Sequence, residues 1–264
     1  MAEEMNETER YYREAINDPY KCMETVKKAP WSIRYAKEQT LELCMEAVQN
    51  DGEVLAYVKE QTPEICMAAV KNCGWALEYV KEQTPEICTA AVKNIEWALE
   101  YVKEQTPDIC MAAINSNGLA LQYVKEQTPE ICMAAVNNIG WALEYVKEQT
   151  PEICMAAVQE NFRAIRFVKE QTPEVCMAAI NESAKALQYI EHQTPEMFIA
   201  AMKHDSRAVN YISEECAKSL INNVEKRISN RQAVKPEEYY AYQNLTAELE
   251  QINSEVDMNE DFEM

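Results

Sequence analysis

Thr62-Pro63-Glu64-Ile65-Cys66-Met67-Ala68-Ala69-Val70-Lys71-Asn72-Cys73-Gly74-Trp75-Ala76-Leu77-Glu78-Tyr79-Val80-Lys81-Glu82-Gln83 is one turn of a sequence that keeps returning. Cysteines at 22, 44, 66, 88, 110, 132, 154 and 176 mark the return at a step of 22 residues with no slip. Nine units can be laid end to end, beginning at Asp18, Thr40, Thr62, Thr84, Thr106, Thr128, Thr150, Thr172 and Thr194. In a repeat array the core grows by stacking, so this period outranks the length of 264 residues as a guide to organisation, and one elongated body is expected.

Within the unit, Thr-Pro-Glu is a helix start. The Thr hydroxyl can cap free backbone N–H groups, Pro tolerates the first helical position, and Glu meets the positive end of the helix dipole. Asp18-Pro19 is read as the same start in the first unit. A first helix is expected to run to about Asn72, where Asn, Gly or Ser permits a reversal, and a second from about Trp75 to Glu82. Each falls short of the ~12–15 residues at which an isolated helix is even marginal in water, so one unit alone should not fold. Ile65, Cys66, Ala69 and Val70 share one face of the first helix, and Ala76, Leu77 and Val80 one face of the second. The expected fold class is therefore all-α: a right- or left-handed α-solenoid of nine 22-residue two-helix repeats with helical caps.

The expected domain organisation has an N-terminal capping helix over 1–17, the array over 18–215, and a C-terminal helical cap over 216–252 that includes a helix from Pro236 to Ile252. Residues 253–264 read as an acidic disordered tail. Tyr239, Tyr240 and Tyr242 are candidates to seal the last repeat or to fold back onto it.

Composition narrows the function classes. Hydrophobic residues make up 47% of the chain, enough for a core, but Phe and Gly number only 4 each, which suits close-packed helices of Ala, Val, Leu, Ile, Met and Cys. A formal net charge of −20 disfavours direct nucleic-acid binding and points any electrostatically steered partner toward a basic protein. The N-terminus lacks the basic start and apolar run of a secretory signal, and no apolar stretch reaches the ~18 residues of a membrane span. A cytoplasmic location is expected.

The stretch Ala76 to Asn94, ALEYVKEQTPEICTAAVKN, has Thr89 where most other units have Met. It resembles the short helical repeats grouped as domain of unknown function 4116. The resemblance spans roughly residues 18 to 212, is carried by the AL.YV and AAV phases, and implies a helical array without supplying a catalytic residue.

The cysteine ladder is read as packing. Equivalent positions on stacked helices lie ~8–10 Å apart, beyond the ~7 Å limit for Cα atoms in a disulfide and too far for a shared zinc. The ninth unit has Phe198 at this phase, which could not ligate a metal. Cys73 and Cys216 lie off the ladder and are candidates for exposed thiols. No Gly-rich phosphate loop, Ser-His-Asp set or singled-out acid pair is present. No catalytic residue, metal or cofactor is expected, and the chain is read as not being an enzyme.

A surface signal comes from the phase that opens the second helix. Trp31, Trp75, Trp97 and Trp141 share it with Glu53, Leu119, Arg163, Lys185 and Arg207, a mixture that a buried position would not accept. With Arg166 added, Trp31, Trp75, Trp97, Trp141, Arg163, Arg166, Lys185 and Arg207 are the candidate partner-binding residues, since Trp and Arg are favoured anchors. The Gln row from Gln39 to Gln193 is a candidate hydrogen-bonding ladder, and the Lys and Glu beside it read as solvated charge. The expected function is a non-enzymatic scaffold that binds a protein partner along its surface. The alternative is an acidic, nucleic-acid-mimicking decoy of a basic nucleic-acid-binding protein.

Overall fold

The computed structural model describes residues 7–260, with side chains through residue 248. Among the described residues there are helices and turns but no strand, and the fold is an all-α solenoid of short stacked repeats. The chain divides into two compact units, 1–138 and 139–264, where the sequence period reads one continuous body. The first unit holds α1 (Glu7–Ala15), α2 (Cys22–Lys28), α3 (Leu41–Asn50), α4 (Pro63–Asn72), α5 (Pro85–Asn94), α6 (Pro107–Ser116) and α7 (Pro129–Asn138). Between them run the 3-10 helices η1 (Pro30–Tyr35), η2 (Gly52–Tyr57), η3 (Gly74–Tyr79), η4 (Glu96–Tyr101) and η5 (Gly118–Tyr123). The second unit runs η6 (Gly140–Tyr145), α8 (Pro151–Glu160), η7 (Phe162–Phe167), α9 (Pro173–Glu182), η8 (Ala184–Tyr189), α10 (Pro195–His204), η9 (Ser206–Tyr211), α11 (Glu214–Ser229) and α12 (Pro236–Glu260). Inside each unit, consecutive α-helices pack side by side as one layer. Consecutive 3-10 helices form the other, each lying on its own α-helix and the next.

The second helix of the repeat departs from expectation. A helix from about Trp75 to Glu82 is read from the sequence, and a 3-10 helix from Gly74 to Tyr79 is found. Eclipsing of residues three apart in a 3-10 helix lines up Gly74, Leu77 and Val80, all of them buried. Val80 ends the helix in extended backbone, φ −71° and ψ 116°, with its N–H still bonded to the Leu77 carbonyl at 3.1 Å. The residues from Val80 to Thr84 must carry the chain back to the α layer, and a helix continued to Glu82 would leave too little chain to do so.

The core follows the sequence reading closely. Ile65, Cys66, Ala69, Val70, Ala76, Leu77 and Val80 are all buried, and the equivalent residues repeat through α3 to α9. Burying each Ile, Leu or Val side chain contributes roughly 1.5–3 kcal/mol against exposure. Ala47, Ala69, Ala91, Ala113 and Ala135 have no exposed surface, and a residue this small lets neighbouring helices close up.

Capping is periodic too. The Thr62 hydroxyl accepts from the Ile65 N–H at 3.3 Å, and Thr40, Thr84, Thr106, Thr150, Thr172 and Thr194 do the same for their helices. The first repeat differs. Asp18 bonds the Tyr20 N–H at 2.9 Å, but α-helix begins only at Cys22, after Lys21, which makes no side-chain cap. At the other helix end the reversal uses extended rather than left-handed backbone: Cys73 has φ −140°, and no glycine has a positive φ. Gly74 is there for space. A Cβ on it would lie 2.7 Å from the Ala91 carbonyl oxygen and 2.3 Å from Ile95 Cγ2. The next helix closes this joint, because Asn94 Oδ1 accepts from the Gly74 N–H at 2.7 Å and Asn94 Nδ2 donates to the Lys71 carbonyl at 2.9 Å. Asn72 makes the same pair of bonds to Gly52 and Gln49.

The linkers form a bonded edge. Gln61 Nε2 donates to the carbonyls of Leu55 at 3.3 Å and Tyr79 at 2.9 Å, while its Oε1 accepts from the Lys81 N–H at 3.0 Å. Gln39, Gln83 and Gln105 repeat the pattern in the first unit, as do Gln149 and Gln171 in the second. Asn17 starts the ladder with bonds to the Tyr35 carbonyl and the Lys37 N–H. The lysines of this edge are not simply solvated, as the sequence suggests. Lys81 Nζ donates to the Lys59 carbonyl at 2.8 Å, and Lys103 Nζ to the Lys81 carbonyl at 2.9 Å.

Both ends are covered by helix. α1 lies on η1, with Glu9 paired to Arg34 at 3.0 Å. At the C-terminal end Ser213 caps α11 by accepting from the Cys216 N–H, while Gln193 Oε1 accepts from the Ser213 N–H at 2.7 Å. The last linker is thus cut short, and Cys216 takes the phase that Ile65 holds in the type repeat. α12 folds back onto α10, α11 and η9. Its buried seam is Ala241 and Leu245, with Tyr242 half-buried, whereas Tyr239 and Tyr240 stay exposed; of the two expected roles the helix takes the second, folding back onto the last repeat. α12 continues to Glu260, past the Ile252 end read from the sequence and into the stretch expected to be a disordered tail, there being no Pro or Gly to stop it. The rest of that tail, 261–264, lies outside the described residues, as do residues 1–6 of the N-terminal cap.

Candidate functional site

Because the 3-10 helices form one layer of each unit, the side chains that point away from the α layer make a continuous outer face. The second 3-10 position lies on it. Trp97 is 36% and Trp141 40% exposed, Trp31 and Trp75 are half-buried, and Arg163, Arg166, Lys185 and Arg207 are exposed.

Each interior Trp meets a partner in the following repeat. Trp75 packs edge-on to Tyr101 with ring centroids 5.8 Å apart, Trp97 lies 5.9 Å from Tyr123, and in the second unit Trp141 lies 5.9 Å from Phe167. The second member is always the last residue of a 3-10 helix, 26 residues on. The sequence reading placed this Tyr row among packing residues and missed its place in the face, although Tyr57 and Tyr79 are 41% and 37% exposed. Its constant phase beside the variable Trp phase was the available signal.

Cations already sit on the same kind of surface. In the first unit the Arg34 guanidinium lies over the rings of Trp31 at 5.1 Å, Tyr35 at 4.6 Å and Tyr57 at 5.9 Å. In the second, Arg166 lies over Tyr189 at 5.4 Å and Arg163 over Phe162 at 4.7 Å. Arg207 instead forks onto Asp205, with bonds of 2.8 to 3.1 Å. The eight candidates are shared between the two units. Trp31, Trp75 and Trp97 line the first unit, while Trp141, Arg163, Arg166, Lys185 and Arg207 belong to the second.

Where Arg34 and Arg166 stand in their repeats, η3 and η4 carry Glu78 and Glu100. Glu78, then burial, then Glu53 push the Tyr79 phenol above its ordinary value, and burial with Glu78 and Glu100 does so for Tyr101. The centre of the first unit's face is therefore aromatic and locally negative.

The thiols offer no activated nucleophile. Cys216, expected to be exposed, is buried under the C-terminal helices, and burial pushes its thiol up to about 11. Cys73 is half-buried, is raised chiefly by burial, and donates to a Glu53 carboxylate oxygen at 3.7 Å. The thiols of Cys66, Cys88, Cys110, Cys132 and Cys154 donate to the preceding Gln Oε1, at 3.6 Å for Cys88 to Gln83, while Cys22 donates to the Pro19 carbonyl, and no disulfide joins any of the ten cysteines. Among the described residues no group of three His, Cys, Asp or Glu side chains is placed to hold a metal ion, and no helix is long and apolar enough to cross a membrane.

A separate recess of about 610 Å³ in the second unit lies between α10, α11 and α12. Two of the cations lining it are already paired, Arg227 with Glu238 at 2.7 Å and Lys203 with Glu237 at 3.8 Å.

These features define a tandem helical-repeat protein with an aromatic outer face. Residues 40–84, 62–106 and 106–150 each match the family model described as Domain of unknown function (DUF4116), so the similarity to that repeat family extends over consecutive units. No curated protein and no solved structure matches the chain.

Proposed function

We propose that this chain is a non-enzymatic scaffold that binds another protein along the outer face of its 3-10 helices. The carrying observation is the contrast between positions. The buried phases hold apolar residues, whereas the second 3-10 position is exposed or half-buried, varies among Glu53, Leu119 and Lys185, and in the other six repeats holds Trp or Arg, the side chains that dominate interface energetics. In this reading Trp75 and Trp97 anchor the partner on the first unit, and Trp141, Arg163, Arg166, Lys185 and Arg207 serve the second. The cytoplasm is the fitting compartment, since ten cysteines without a disulfide suit a reducing environment. The test is affinity capture from nuclease-treated lysate at low and high salt, with the native chain beside Trp75→Ala/Trp97→Ala. A partner retained at high salt and lost from the variant is expected. Equal capture by both chains would remove the aromatic face from the account.

One observation favours the acidic decoy as a second reading. The linker residues Glu60, Glu82 and Glu104 run beside the helix-start acids Glu64, Glu86 and Asp108, and among the described residues none of these six is in an ion pair. A decoy would capture a basic nucleic-acid-binding protein and release it as salt rises.

A further inference from the structure

We propose that the centre of the first unit's outer face, formed by Trp75, Tyr79, Trp97 and Tyr101 with Glu78 and Glu100, binds a basic, proline-rich segment in the polyproline II conformation, one triplet of residues per repeat. This rests on the scaffold reading and names the chemistry of its partner.

The basic character follows from what the chain does with its own cations. Arg34 shows that a guanidinium is accommodated over this ring set, spanning Trp31, Tyr35 and the Tyr57 of the next repeat. It is held there by Glu9 at 3.0 Å and by the Tyr35 hydroxyl at 2.6 Å. Arg166 over Tyr189 repeats one of these contacts in the second unit, that with the tyrosine of the next repeat. In η3 and η4 the aromatic surface is kept, but the residue at the Arg phase is a carboxylate. Among the described residues no cation lies over Trp75, Tyr79, Trp97 or Tyr101. An incoming Arg or Lys would find the ring faces, together with Glu78 and Glu100 in place of the Glu9 that holds Arg34. An indole or phenol face attracts such a cation more strongly once water is excluded.

The proline-rich character follows from spacing. Helices packed side by side are generally set about 8–10 Å apart, and consecutive 3-10 helices in contact present equivalent aromatic positions at a step of that order. An extended β-strand brings side chains back to the same face every second residue, about 6.6 Å, or every fourth, about 13 Å, and both miss that step. Polyproline II returns to the same face every third residue at ~3.1 Å per residue, about 9.3 Å, and stays in register over successive repeats. Prolines between the basic residues would pack on the exposed edges of the aromatic pairs Trp75–Tyr101 and Trp97–Tyr123, as proline-rich ligands do in aromatic-lined grooves.

The test is a titration of the full chain with a fluorescent peptide of repeated Pro-Pro-Arg triplets, run beside Gly-Ser-Arg and Pro-Pro-Gln peptides of equal length. The expected result is binding of Pro-Pro-Arg at least about tenfold tighter than either control. Trp75→Ala/Trp97→Ala should weaken it about tenfold, the size of two lost cation–aromatic contacts. Glu78→Gln/Glu100→Gln, both exposed and outside the core, should weaken it severalfold and guards against a folding defect in the tryptophan variant. Equal binding of the Gly-Ser-Arg peptide would reduce the effect to charge and overturn the proposal, as would indifference to both double variants or no binding. The scaffold reading fails separately. If a captured partner is lost from the Trp75→Ala/Trp97→Ala chain but is not displaced by Pro-Pro-Arg, the surface stands and its occupant is of another kind.

Discussion

On the linker edge of the first unit, one phase carries Gln39, Gln61, Gln83 and Gln105 without change; on the outer face, one phase carries Glu53, Trp75, Trp97 and Leu119. Both repeat every 22 residues, and their freedom differs because their partners differ. Each Gln satisfies two carbonyls and one N–H whose positions the backbone sets, so the joint needs a side-chain amide, which alone carries both donor and acceptor in this form. Each outer-face residue meets solvent and only side-chain partners, a ring of the next repeat for Trp75 and Trp97 and the Cys73 thiol for Glu53. Repetition is held in place where a side chain bonds the neighbouring backbone, and it drifts where only an external partner would read the side chain.

The sharpest way to break this comparison acts on every interior repeat at once. Burial raises the ladder thiols Cys44, Cys66, Cys88, Cys110, Cys154 and Cys176, the last from an ordinary value of 9.0 to about 11. A thiol whose folded pKa lies above its unfolded one contributes its full stability below the unfolded pKa. That contribution is lost as pH rises through the folded value, because the unfolded chain releases protons first. Thermal melts should hold steady below pH 9 and then fall steeply toward pH 11, with the slope eased in Cys176→Ala. A native chain insensitive to pH over that window would mean the thiols are not buried as described.

Single interior changes come next. Ala91→Leu inserts bulk at a position with no exposed surface and should cost about 3 kcal/mol in urea unfolding; a loss under about 1 kcal/mol would show that the helix layer is loosely packed. Gln83→Leu strips partners from the Leu77 and Tyr101 carbonyls and the Lys103 N–H and should cost roughly 2–4 kcal/mol. An unchanged midpoint would make the amide ladder incidental.

The outer face should respond less. Trp97→Ala loses one tilted aromatic contact at a position 36% exposed, so about 1 kcal/mol of stability is expected to go while partner capture falls far more. A drop as large as that of Ala91→Leu would turn this phase into core. The smallest effect has the opposite sign. Ser32 is fully buried with its hydroxyl unpartnered, at a phase that holds Ala76, Ala98 and Ala120 in later repeats. Ser32→Ala should therefore stabilise the chain by about 0.5–1 kcal/mol, and a measured loss would mean that the hydroxyl has a partner after all.

The period, the helix starts and the inward faces were all legible because each rests on local chemistry: a capping Thr, a Pro at the first position, apolar residues at helical spacing. The second helix was read past its end, to Glu82, because an apolar stripe over so short a span fits either helix type and does not mark where a 3-10 helix stops. Cys216 was placed at the surface because its phase looked irregular; a linker cut short at Ser213 brings it into register with the buried Ile row. On the outer face the variable Trp and Arg phase stood out, while Tyr79, Tyr101 and Arg34 did not, since an invariant Tyr reads as packing until its exposure is known.

The sequence by itself determined that one small helical unit repeats, where each unit begins and which side chains point inward, because a fixed period and capping chemistry act within a few residues. Only the tertiary structure decided that Gln61, Asn94 and Lys81 bind the backbone of neighbouring repeats, that Gly74 serves a close approach rather than a turn, and that Trp75 meets Tyr101. Those contacts join residues about one repeat apart, and their distances exist only once the layers have been stacked.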